Sequence, residues 1–425
     1  MGLIYVRSFG CRTSLCEGEY LAGSLLSLGH EITEDLAPGI SSAVIVTCSV
    51  TGEADRKCRQ LVRRARKFLG DKGVLTVCGC WSQALDVNTA REFGIDILAG
   101  TKGKSLVPSA VDSAIRHGRE FADLRGEFPP GWEELPLSLT VMHSRAFVKV
   151  QDGCDHFCSY CVIPFLRGKP VSRPPGNVTD EIRRLIDSGV KEVVLTGIHL
   201  GAYGRDIGMT LAGLVRSVSR IGGLGRLRLG SLEPFCLDGD LTAALADCES
   251  FCHHLHLPLQ SGDDGILAAM RRGYNARDFL RVCGEARSAI SHDIHISSDI
   301  LVGFPGESEQ AFSRTLGVMS DAGLGRVHVF PYSARRGTLA ADMPGQVPHS
   351  VKVSRVSRAI ALGRELFASY ARKFIGHEAE ILIERDGRGH TRHYIEASCE
   401  GKDNEIVRAE VIQFVGGGLE CLRRD

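Results

Sequence analysis

The chain lacks an excess of charge of either sign, and it lacks a long hydrophobic run. Its 425 residues contain 51 Lys and Arg against 51 Asp and Glu, so no overall positive field is present and a nucleic-acid partner would have to be bound through local patches. No uncharged apolar stretch reaches the length of about 18 residues that predicts a transmembrane helix. The N-terminus lacks a charged segment followed by an apolar run. We therefore expect a cytoplasmic protein with no membrane partner.

Cysteine, by contrast, is abundant, with 15 residues. In a reducing compartment this favours metal ligands and free thiols over disulfides. Cys154, Cys158 and Cys161 have the spacing C-x3-C-x2-C, and no fourth cysteine lies nearby. Three thiolates on one loop can hold three corners of an iron–sulfur cube and leave one iron open to another ligand. The alternatives are a zinc site completed by His156 and three reduced core thiols.

This loop resembles that of the radical S-adenosylmethionine (SAM) enzymes, in which an aromatic residue, here Tyr160, precedes the last cysteine. In those enzymes the open iron binds the amino and carboxylate groups of SAM. The longer run QDGC..FC.YC.IP..RG...SR, residues 151–173, resembles more specifically the methylthiotransferases, which insert sulfur into a C–H bond and methylate it. The resemblance implies a [4Fe–4S] cluster on Cys154, Cys158 and Cys161, with SAM bound beside it.

Three apolar, β-rich runs near the N-terminus are each followed by a cysteine. The runs are residues 3–8, 43–47 and 74–77, and the cysteines are Cys11, Cys48 and Cys80. Because the carboxyl ends of parallel strands meet at one edge of a sheet, we predict an open parallel α/β sheet domain over residues 1–125 in which these cysteines converge. Any one of them alone is more often a buried core thiol.

The three cysteine contexts resemble FGC, TC.VT and GC..Q of the methylthiotransferases, where they hold an auxiliary [4Fe–4S] cluster. The resemblance therefore implies Cys11, Cys48 and Cys80 as a second set of ligands. Cys16, Cys58 and Cys78 are additional, and Cys78 competes with Cys80 for the third position, which the GC..Q context assigns to Cys80. Residues 47–67 resemble the branch that acts on N6-threonylcarbamoyladenosine in tRNA. The basic helix predicted within these residues either faces solvent or contacts phosphates.

A Pro- and Gly-rich segment at residues 125–131 predicts a domain boundary. Strands and helices then alternate, which predicts a partial TIM-type β/α barrel over residues 140–368 with its chemistry at the C-terminal ends of the strands. The motifs at those ends resemble the SAM-binding barrel of the same family, although residues 335–338 depart from its pattern. No catalytic residue is assigned beyond the cluster ligands. The expected SAM-binding residues are Tyr160, Gly197, His199, Glu233, Gln260 and Asp299.

The last 50 or so residues alternate as short strands, which predicts a small closed β-barrel over residues 371–425. Its position and pattern resemble the TRAM domain, an RNA-binding β-barrel. We expect its RNA-facing residues to be the basic and aromatic side chains of one loop region. They are Arg385, Arg388, His390, Arg392, His393 and Tyr394.

Taken together, these resemblances imply an enzyme that methylthiolates position 2 of N6-threonylcarbamoyladenosine in tRNA. Residues 197–204 also resemble that branch. The cofactors would be two [4Fe–4S] clusters and SAM, with an external low-potential electron donor and a sulfur source that the sequence does not identify. One alternative is another branch, acting on isopentenyladenosine in tRNA or on an aspartate of a ribosomal protein. The other is a binding protein that uses its clusters only for electron transfer or regulation.

Overall fold

The computed structural model describes residues 2–126, 131–137 and 144–424, and the chain forms two compact units. The first unit contains residues 1–141, 147–156 and 161–173, and the second contains residues 142–146, 157–160 and 174–425. Part of the predicted boundary segment, residues 127–130, lies outside the described residues, so the predicted domain limits stay predictions. No helix in the described part of the chain is long and apolar enough to cross a membrane.

The first unit is built on a six-stranded parallel sheet with the order β2-β1-β3-β4-β5-β6. Its elements are β1 (Leu3–Ser8), α1 (Arg12–Ser27), β2 (Glu31–Thr33), β3 (Ser42–Thr47), α2 (Gly52–Leu69), β4 (Val74–Gly79), α3 (Cys80–Gln83), α4 (Val87–Glu92), β5 (Ile97–Leu98), α5 (Val107–His117) and β6 (Ala122–Asp123). Every residue of β3 and β4 is buried, because separate apolar clusters cover the two faces of the sheet. The predicted open α/β sheet is confirmed.

Helix α2 has one apolar face towards the core and one basic face towards solvent. Its buried residues are Cys58, Val62, Ala65 and Leu69, which recur at helical spacing and pack against the sheet. The N-terminus of α2 is capped by Thr51, whose hydroxyl accepts a hydrogen bond from the amide of Ala54 at 3.1 Å. The remaining face carries the basic residues predicted from the sequence.

A hairpin in the first unit forms the base of the loop with the C-x3-C-x2-C motif. The elements here are β8 (Gln151–Asp152), α6 (Ile163–Arg167) and β9 (Val171–Ser172), and the preceding strand β7 (Arg145–Lys149) has its first two residues in the second unit and its last three in the first. Strand β8 pairs antiparallel with β9, and the amide of Cys154 donates to the Gly168 carbonyl at 2.9 Å. Gly153 has a φ of +76°, and a Cβ there would lie 2.1 Å from the Lys169 carbonyl oxygen, so this turn requires glycine.

The second unit contains two three-stranded sheets, β11-β10-β7 and β12-β13-β14, joined by single parallel bridges between Leu227 and Phe251 and between Ser231 and His256. The elements are α7 (Pro175–Asp187), β10 (Glu192–Thr196), α8 (Leu211–Ser219), β11 (Arg226–Leu229), α9 (Gly239–Ala246), β12 (His254–His256), α10 (Asp264–Met270), α11 (Ala276–Ala289), β13 (His295–Val302), α12 (Glu309–Asp321), β14 (Arg326–Pro331) and α13 (His349–Arg372). Strands alternate with helices, which confirms the predicted partial β/α barrel.

The C-terminal segment of the second unit is a closed barrel of five strands in the order β15-β16-β17-β19-β18. The strands are β15 (Glu378–Arg385), β16 (Arg388–Thr391), β17 (Glu396–Ser398), β18 (Ile406–Val415) and β19 (Gly418–Arg423). Side chains alternate, so that Ile381, Ile383, Val407 and Ala409 fill the interior. The predicted small β-barrel is confirmed.

The residues expected to face RNA differ in their exposure on this barrel. The six predicted residues are Arg385, Arg388, His390, Arg392, His393 and Tyr394. The Tyr394 ring lies 5.2 Å from the guanidinium of Arg145 and 4.8 Å from that of Arg228, and Arg392 donates to the Phe251 carbonyl at 2.8 Å. His390 and His393 each approach a carboxylate of the same unit. These four side chains are therefore partly buried by contacts within the unit, whereas Arg385 and Arg388 have exposed side chains, and the RNA-facing role of all six stays a prediction.

A buried ionic cluster lies at the start of β10. Glu192 is fully buried, and its carboxylate is 2.9 Å from Nε of Arg228, 3.7 Å from Nη1 of Arg226, and paired with Arg145. Burial raises the pKa of Glu192, but the three guanidinium groups outweigh burial and lower it to about 2. Arg226 and Arg228 also donate to carbonyl groups of the small barrel. The ionised carboxylate therefore helps to hold both arginines where the small barrel binds them.

We expect Glu192→Gln to destabilise the iron-free chain by about 3–5 kcal/mol, because it removes the counter-charge of buried guanidinium groups. Urea unfolding followed by circular dichroism would measure this. Since the folded-state pKa lies below the unfolded value, the contribution of Glu192 is complete above a pH of roughly 4.5 and is lost as the pH falls towards its folded pKa of about 2. The same change at exposed Glu378 is the control. Equal stability of the two variants would contradict this account.

Candidate functional site

Cys11, Cys48 and Cys80 lie at the C-terminal ends of three neighbouring strands. Cys11 is the residue before α1, Cys48 follows β3, and Cys80 is the first residue of α3, directly after β4. Strand β3 lies between β1 and β4, and its parallel pairings run to the last residues of all three strands. Burial raises the pKa of Cys48 to about 12, and the nearby sulfurs of Cys11 and then Cys80 contribute to the rise. The three thiols therefore lie within electrostatic reach of one another.

The backbone at Gly10 allows this close approach. Gly10 has a φ of +95°, and a Cβ built on it would lie 2.3 Å from both the Cβ and the Sγ of Cys48. No other residue type can occupy this turn without moving Cys48. Glycine at this position therefore permits the turn that carries Cys11 to pass directly against the second cysteine.

A buried arginine contacts the third cysteine. Nε of Arg167 donates to Sγ of Cys80 at 3.2 Å, and its Nη1 lies 3.0 Å from Glu17 and 2.9 Å from Asp152. The arginine belongs to a network of buried charges that joins helix α1 and the turn at Lys104 to the hairpin below the cysteine loop. The charged members are Glu17, Lys104, Lys149, Asp152 and Arg167.

Three cations against two carboxylates leave this network with one excess positive charge. Lys149 pairs with Glu17 at 2.9 Å and with Asp152 at 2.6 Å, and Lys104 lies 3.4 Å from Glu17. Burial raises the pKa of Glu17, but the cations, Arg167 foremost, outweigh it and lower the pKa to about 2. Both carboxylates are thus ionised at neutral pH. The excess charge lies beside Cys80, where a thiolate would balance it.

Three other cysteines of the first unit are buried in its core or donate hydrogen bonds to backbone carbonyls. Cys78 is fully buried among the apolar side chains on one face of the sheet, and burial raises its pKa to about 12. Cys16 donates to the Phe147 carbonyl at 3.0 Å, and Cys58 donates to the Cys48 carbonyl at 3.6 Å. This environment favours Cys80 over Cys78 as the third ligand. The donor set of Cys11, Cys48 and Cys80 fits an iron–sulfur cluster, because metal ligation deprotonates thiols that burial alone keeps neutral.

The cysteine loop is shared between the two units, with Cys154 and Cys161 in the first and Cys158 in the second. In the second unit, Nη1 of Arg272 donates to Sγ of Cys158 at 3.3 Å, and Nη2 pairs with Glu233. Arg272 is only 2% exposed. A second buried guanidinium therefore contacts a sulfur of the other predicted ligand set.

The backbone around Cys158 is also fixed. The amide and hydroxyl of Ser159 donate to the carbonyls of Met270 at 3.1 Å and Ala269 at 2.8 Å, and the Ser159 carbonyl accepts from the amide of Ala340 at 2.8 Å. Phe157 has a φ of +45°, which is sterically unfavourable for a phenylalanine. Such strain persists only where the surroundings determine the conformation, and it is concentrated at functional sites.

The predicted SAM-binding residues lie along successive strands of the partial barrel. Gly197 and His199 follow β10, Glu233 follows β11, Gln260 follows β12, and Asp299 lies within β13. The structure brings four of them together, since the amide of Gln260 donates to the Asp299 carbonyl at 2.8 Å and Tyr160, Glu233 and Asp299 each interact electrostatically with Arg272. Gln260 has a φ of +64°, a second unfavourable backbone conformation at the site.

His199 lies beside a cysteine sulfur, and Tyr160 packs against an aromatic ring. Nε2 of His199 lies 3.9 Å from Sγ of Cys236, and the imidazole is 5% exposed. The Tyr160 ring meets the Phe304 ring edge-on, with centroids 6.5 Å apart. These contacts position both side chains but do not test a role in binding SAM.

Sequence reasoning missed the two arginines that contact the cysteine sulfurs. Arg167 stands in the quoted run, as the arginine of..RG.., but nothing in the sequence shows that it reaches Cys80. Arg272 carries no sequence signal, because its partners Cys158 and Glu233 are 114 and 39 residues away along the chain.

Comparisons with known proteins place these features in context. A model of the radical SAM superfamily matches residues 148–318, and a model described as uncharacterized protein family UPF0004 matches residues 3–100. The threonylcarbamoyladenosine tRNA methylthiotransferase MtaB of Bacillus subtilis (strain 168) is 32% identical over 98% of this chain and 95% of its own length. The tRNA-2-methylthio-N(6)-dimethylallyladenosine synthase of Caldicellulosiruptor saccharolyticus is 34% identical over 93% of this chain and 86% of its own.

A solved structure is similar in fold. The radical S-adenosylmethionine methyltransferase TsrM of Kitasatospora setae, determined with cobalamin and a [4Fe-4S] cluster bound, aligns with a TM-score of 0.58. The alignment covers 80% of this chain and 74% of that chain at 15% identity. At this identity the likeness shows a shared architecture.

We expect Arg167→Gln to destabilise the iron-free chain by about 3–5 kcal/mol, because it removes the shared partner of two buried carboxylates. Arg167→Lys keeps the charge but cannot reach Cys80 and both carboxylates at once, so it should recover only part of the loss. Urea unfolding measures both variants, and Arg183→Gln, in an exposed helical ion pair, is the control. A buried variant as stable as this control would show that the network does not hold the first unit together.

Proposed function

The chain belongs to the radical SAM methylthiotransferases, and we propose that it adds a methylthio group to position 2 of N6-threonylcarbamoyladenosine in tRNA. Its family consists of enzymes. The alternative of a binding protein that uses its clusters only for electron transfer or regulation is therefore discarded. The tRNA-directed activity of the chain follows from relatives that it matches along almost their whole length. The choice of the modified nucleoside is our proposal, and so is the assignment of residues.

We assign Cys154, Cys158 and Cys161 to the cluster that works with SAM, and Cys11, Cys48 and Cys80 to the auxiliary cluster. Members of the superfamily use SAM and a [4Fe–4S] cluster, and a second cluster is typical of the methylthiotransferases. When bound, these groups supply the radical that opens a C–H bond and the sulfur that replaces its hydrogen. The observation that carries the assignment is the meeting of three strand-end thiols beside a buried cation.

The protein residues would hold and orient these groups. Arg167 donates to Cys80 and Arg272 donates to Cys158, so each proposed ligand set has one sulfur that accepts a hydrogen bond from a buried guanidinium. Hydrogen bonds to ligand sulfurs and burial tune the potential of an iron–sulfur cluster. Arg272 also connects Cys158 with Glu233, a proposed SAM contact that follows β11.

The substrate choice rests on sequence and on charge. Relatives with both nucleoside names are about equally similar, at 32% and 34% identity. The runs at residues 47–67 and 197–204 resemble the threonylcarbamoyladenosine branch. In addition, the threonylcarbamoyl group ends in a carboxylate, whereas a dimethylallyl group is apolar. Arg335 and Arg336 lie in the loop directly after β14, on the side of the barrel where strand ends carry the chemistry, and they would suit the carboxylate.

For tRNA recognition we propose the exposed side chains Arg385 and Arg388 of the small barrel, together with the exposed basic residues of α2. Phosphate contacts of this kind position an RNA without reading its sequence. Since the net charge of the chain is zero, such local patches must provide the attraction. A tRNA substrate is consistent with the cytoplasmic location expected from the sequence.

The experiment is mass spectrometry of tRNA nucleosides from cells with and without this chain. We expect loss of the chain to abolish 2-methylthio-N6-threonylcarbamoyladenosine and to leave the unmethylthiolated nucleoside in its place. The natural chain should restore the product, whereas a Cys154→Ala, Cys158→Ala, Cys161→Ala variant should not, because a radical is needed to open the C–H bond. Arg183→Gln serves as a restoring control.

Two outcomes would overturn the proposal. Loss of the methylthio group from isopentenyladenosine alone would assign the chain to the other tRNA branch. Unchanged tRNA nucleosides would remove tRNA as the substrate and leave the ribosomal-protein aspartate as the acceptor to examine.

A further inference from the structure

A group of metal-ligating side chains lies in the second unit, apart from the cysteines. It contains His253, Asp293 and His393, whose ligand atoms all lie within 4.8 Å of one another. Oδ1 of Asp293 is 3.7 Å from Nδ1 of His253, and Oδ2 is 3.0 Å from Nε2 of His393. His253 directly precedes β12, Asp293 precedes β13, and His393 lies in the turn between β16 and β17 of the small barrel.

We propose that these three side chains bind a divalent transition-metal ion of the zinc type. Zinc takes imidazole nitrogens and carboxylate oxygens at about 2.0–2.2 Å, so neighbouring ligand atoms around a tetrahedral ion lie roughly 3–4 Å apart. The two oxygens of Asp293 lie 3.7 Å and 3.0 Å from the imidazole nitrogens of His253 and His393, and all three ligand atoms lie within 4.8 Å of one another, so small side-chain rotations would bring them to that geometry. Two imidazoles disfavour Mg²⁺ and Ca²⁺, which prefer oxygen ligands. Asp293 is half exposed, so water can occupy the fourth position.

The backbone of each ligand is held in place by two buried aromatic residues. Nδ1 of His295 lies 2.6 Å from the His393 carbonyl, and the His295 amide donates to the His253 carbonyl at 2.9 Å. The Tyr370 hydroxyl donates to the Asp293 carbonyl at 2.6 Å. The rings of His295 and Tyr370 are stacked with centroids 4.8 Å apart. Such fixed supporting contacts are a common feature of metal sites.

The His393 nitrogen gives a second indication. Although Nε2 lies 3.0 Å from the Asp293 carboxylate, it makes no hydrogen bond of ordinary geometry with any residue that the structure describes. The ring instead packs against Phe374 at 4.6 Å and against His253 at 5.3 Å, which directs both imidazoles towards the same carboxylate. A shared cation would bind both imidazoles at once, whereas Asp293 alone pairs with them at unequal distances of 3.0 Å and 3.7 Å.

The position of the site points to a structural function. His253 and Asp293 lie at the N-terminal ends of their strands, and in β/α barrels that face serves stability while the opposite face carries the chemistry. The ion would tie the β16–β17 turn to the β/α barrel, beside the contact of Arg392 with the Phe251 carbonyl. The metal would thus fix the small barrel against the catalytic barrel. This inference does not depend on which nucleoside is modified.

The test uses the full chain with the six cluster cysteines changed to Ala, because those thiols would bind the probe. Zn²⁺ is added, excess is removed, and the remaining metal is measured by mass spectrometry. We expect this parent chain to retain about one zinc per chain. The variants His253→Ala, His393→Ala and the nearly isosteric Asp293→Asn should lose it. His292→Ala, which removes an exposed neighbouring imidazole, should retain it. Circular dichroism confirms that each variant is folded.

Two further measurements locate the metal. Co²⁺ at the site should give an absorption spectrum without a thiolate-to-cobalt charge-transfer band, because its ligands are nitrogen and oxygen. Zn²⁺ should slow amide hydrogen exchange in residues 391–395 of the parent chain but not of Asp293→Asn. Equal zinc content in the parent and all three variants would overturn the proposal, as would a cobalt spectrum with only thiolate ligation.

Discussion

A buried guanidinium beside a cysteine sulfur is the interaction on which the rest of the structure depends. Arginine cannot lose its proton in a protein, so a fully buried Arg167 must be surrounded by groups that carry or accept charge. Glu17 comes from helix α1 and Asp152 comes from the hairpin below the cysteine loop, and both reach the same Nη1. Lys104 and Lys149 complete the network. Because buried Arg167 needs these partners, it links segments of the first unit that lie far apart in the sequence.

The same reasoning applies in the second unit. Arg272 is held by Glu233 and by the hydroxyl of Tyr274 at 3.1 Å, and from there it contacts Cys158. In both places a fixed positive charge lies where a ligand thiolate would carry a negative one. Lysine would supply charge but not the planar set of donors that reaches a sulfur and a carboxylate together. The fold thus provides one sulfur of each proposed ligand set with a buried cation.

Much of the architecture could be predicted from the sequence, because local patterns determine it. Strand β1 was predicted with its observed limits, and the strand-end cysteines followed from adjacent apolar runs. Strands β2, β5 and β6 were missed because two or three residues show no periodicity. The contact of Arg167 with Cys80 spans 87 residues and exists only after folding. The contacts of Tyr394 with Arg145 and Arg228 could not be predicted, because the composition of a basic and aromatic loop is the same whether it meets RNA or packs on a barrel.

The central claim is that two separate cysteine triads each hold one iron–sulfur cluster. Iron content after anaerobic reconstitution tests it most directly, with Mössbauer spectroscopy to identify the cluster type. The account predicts about eight irons in the natural chain and about four in each of two triple variants, one lacking Cys11, Cys48 and Cys80 and the other lacking Cys154, Cys158 and Cys161. A triple variant that retained all the iron would contradict it.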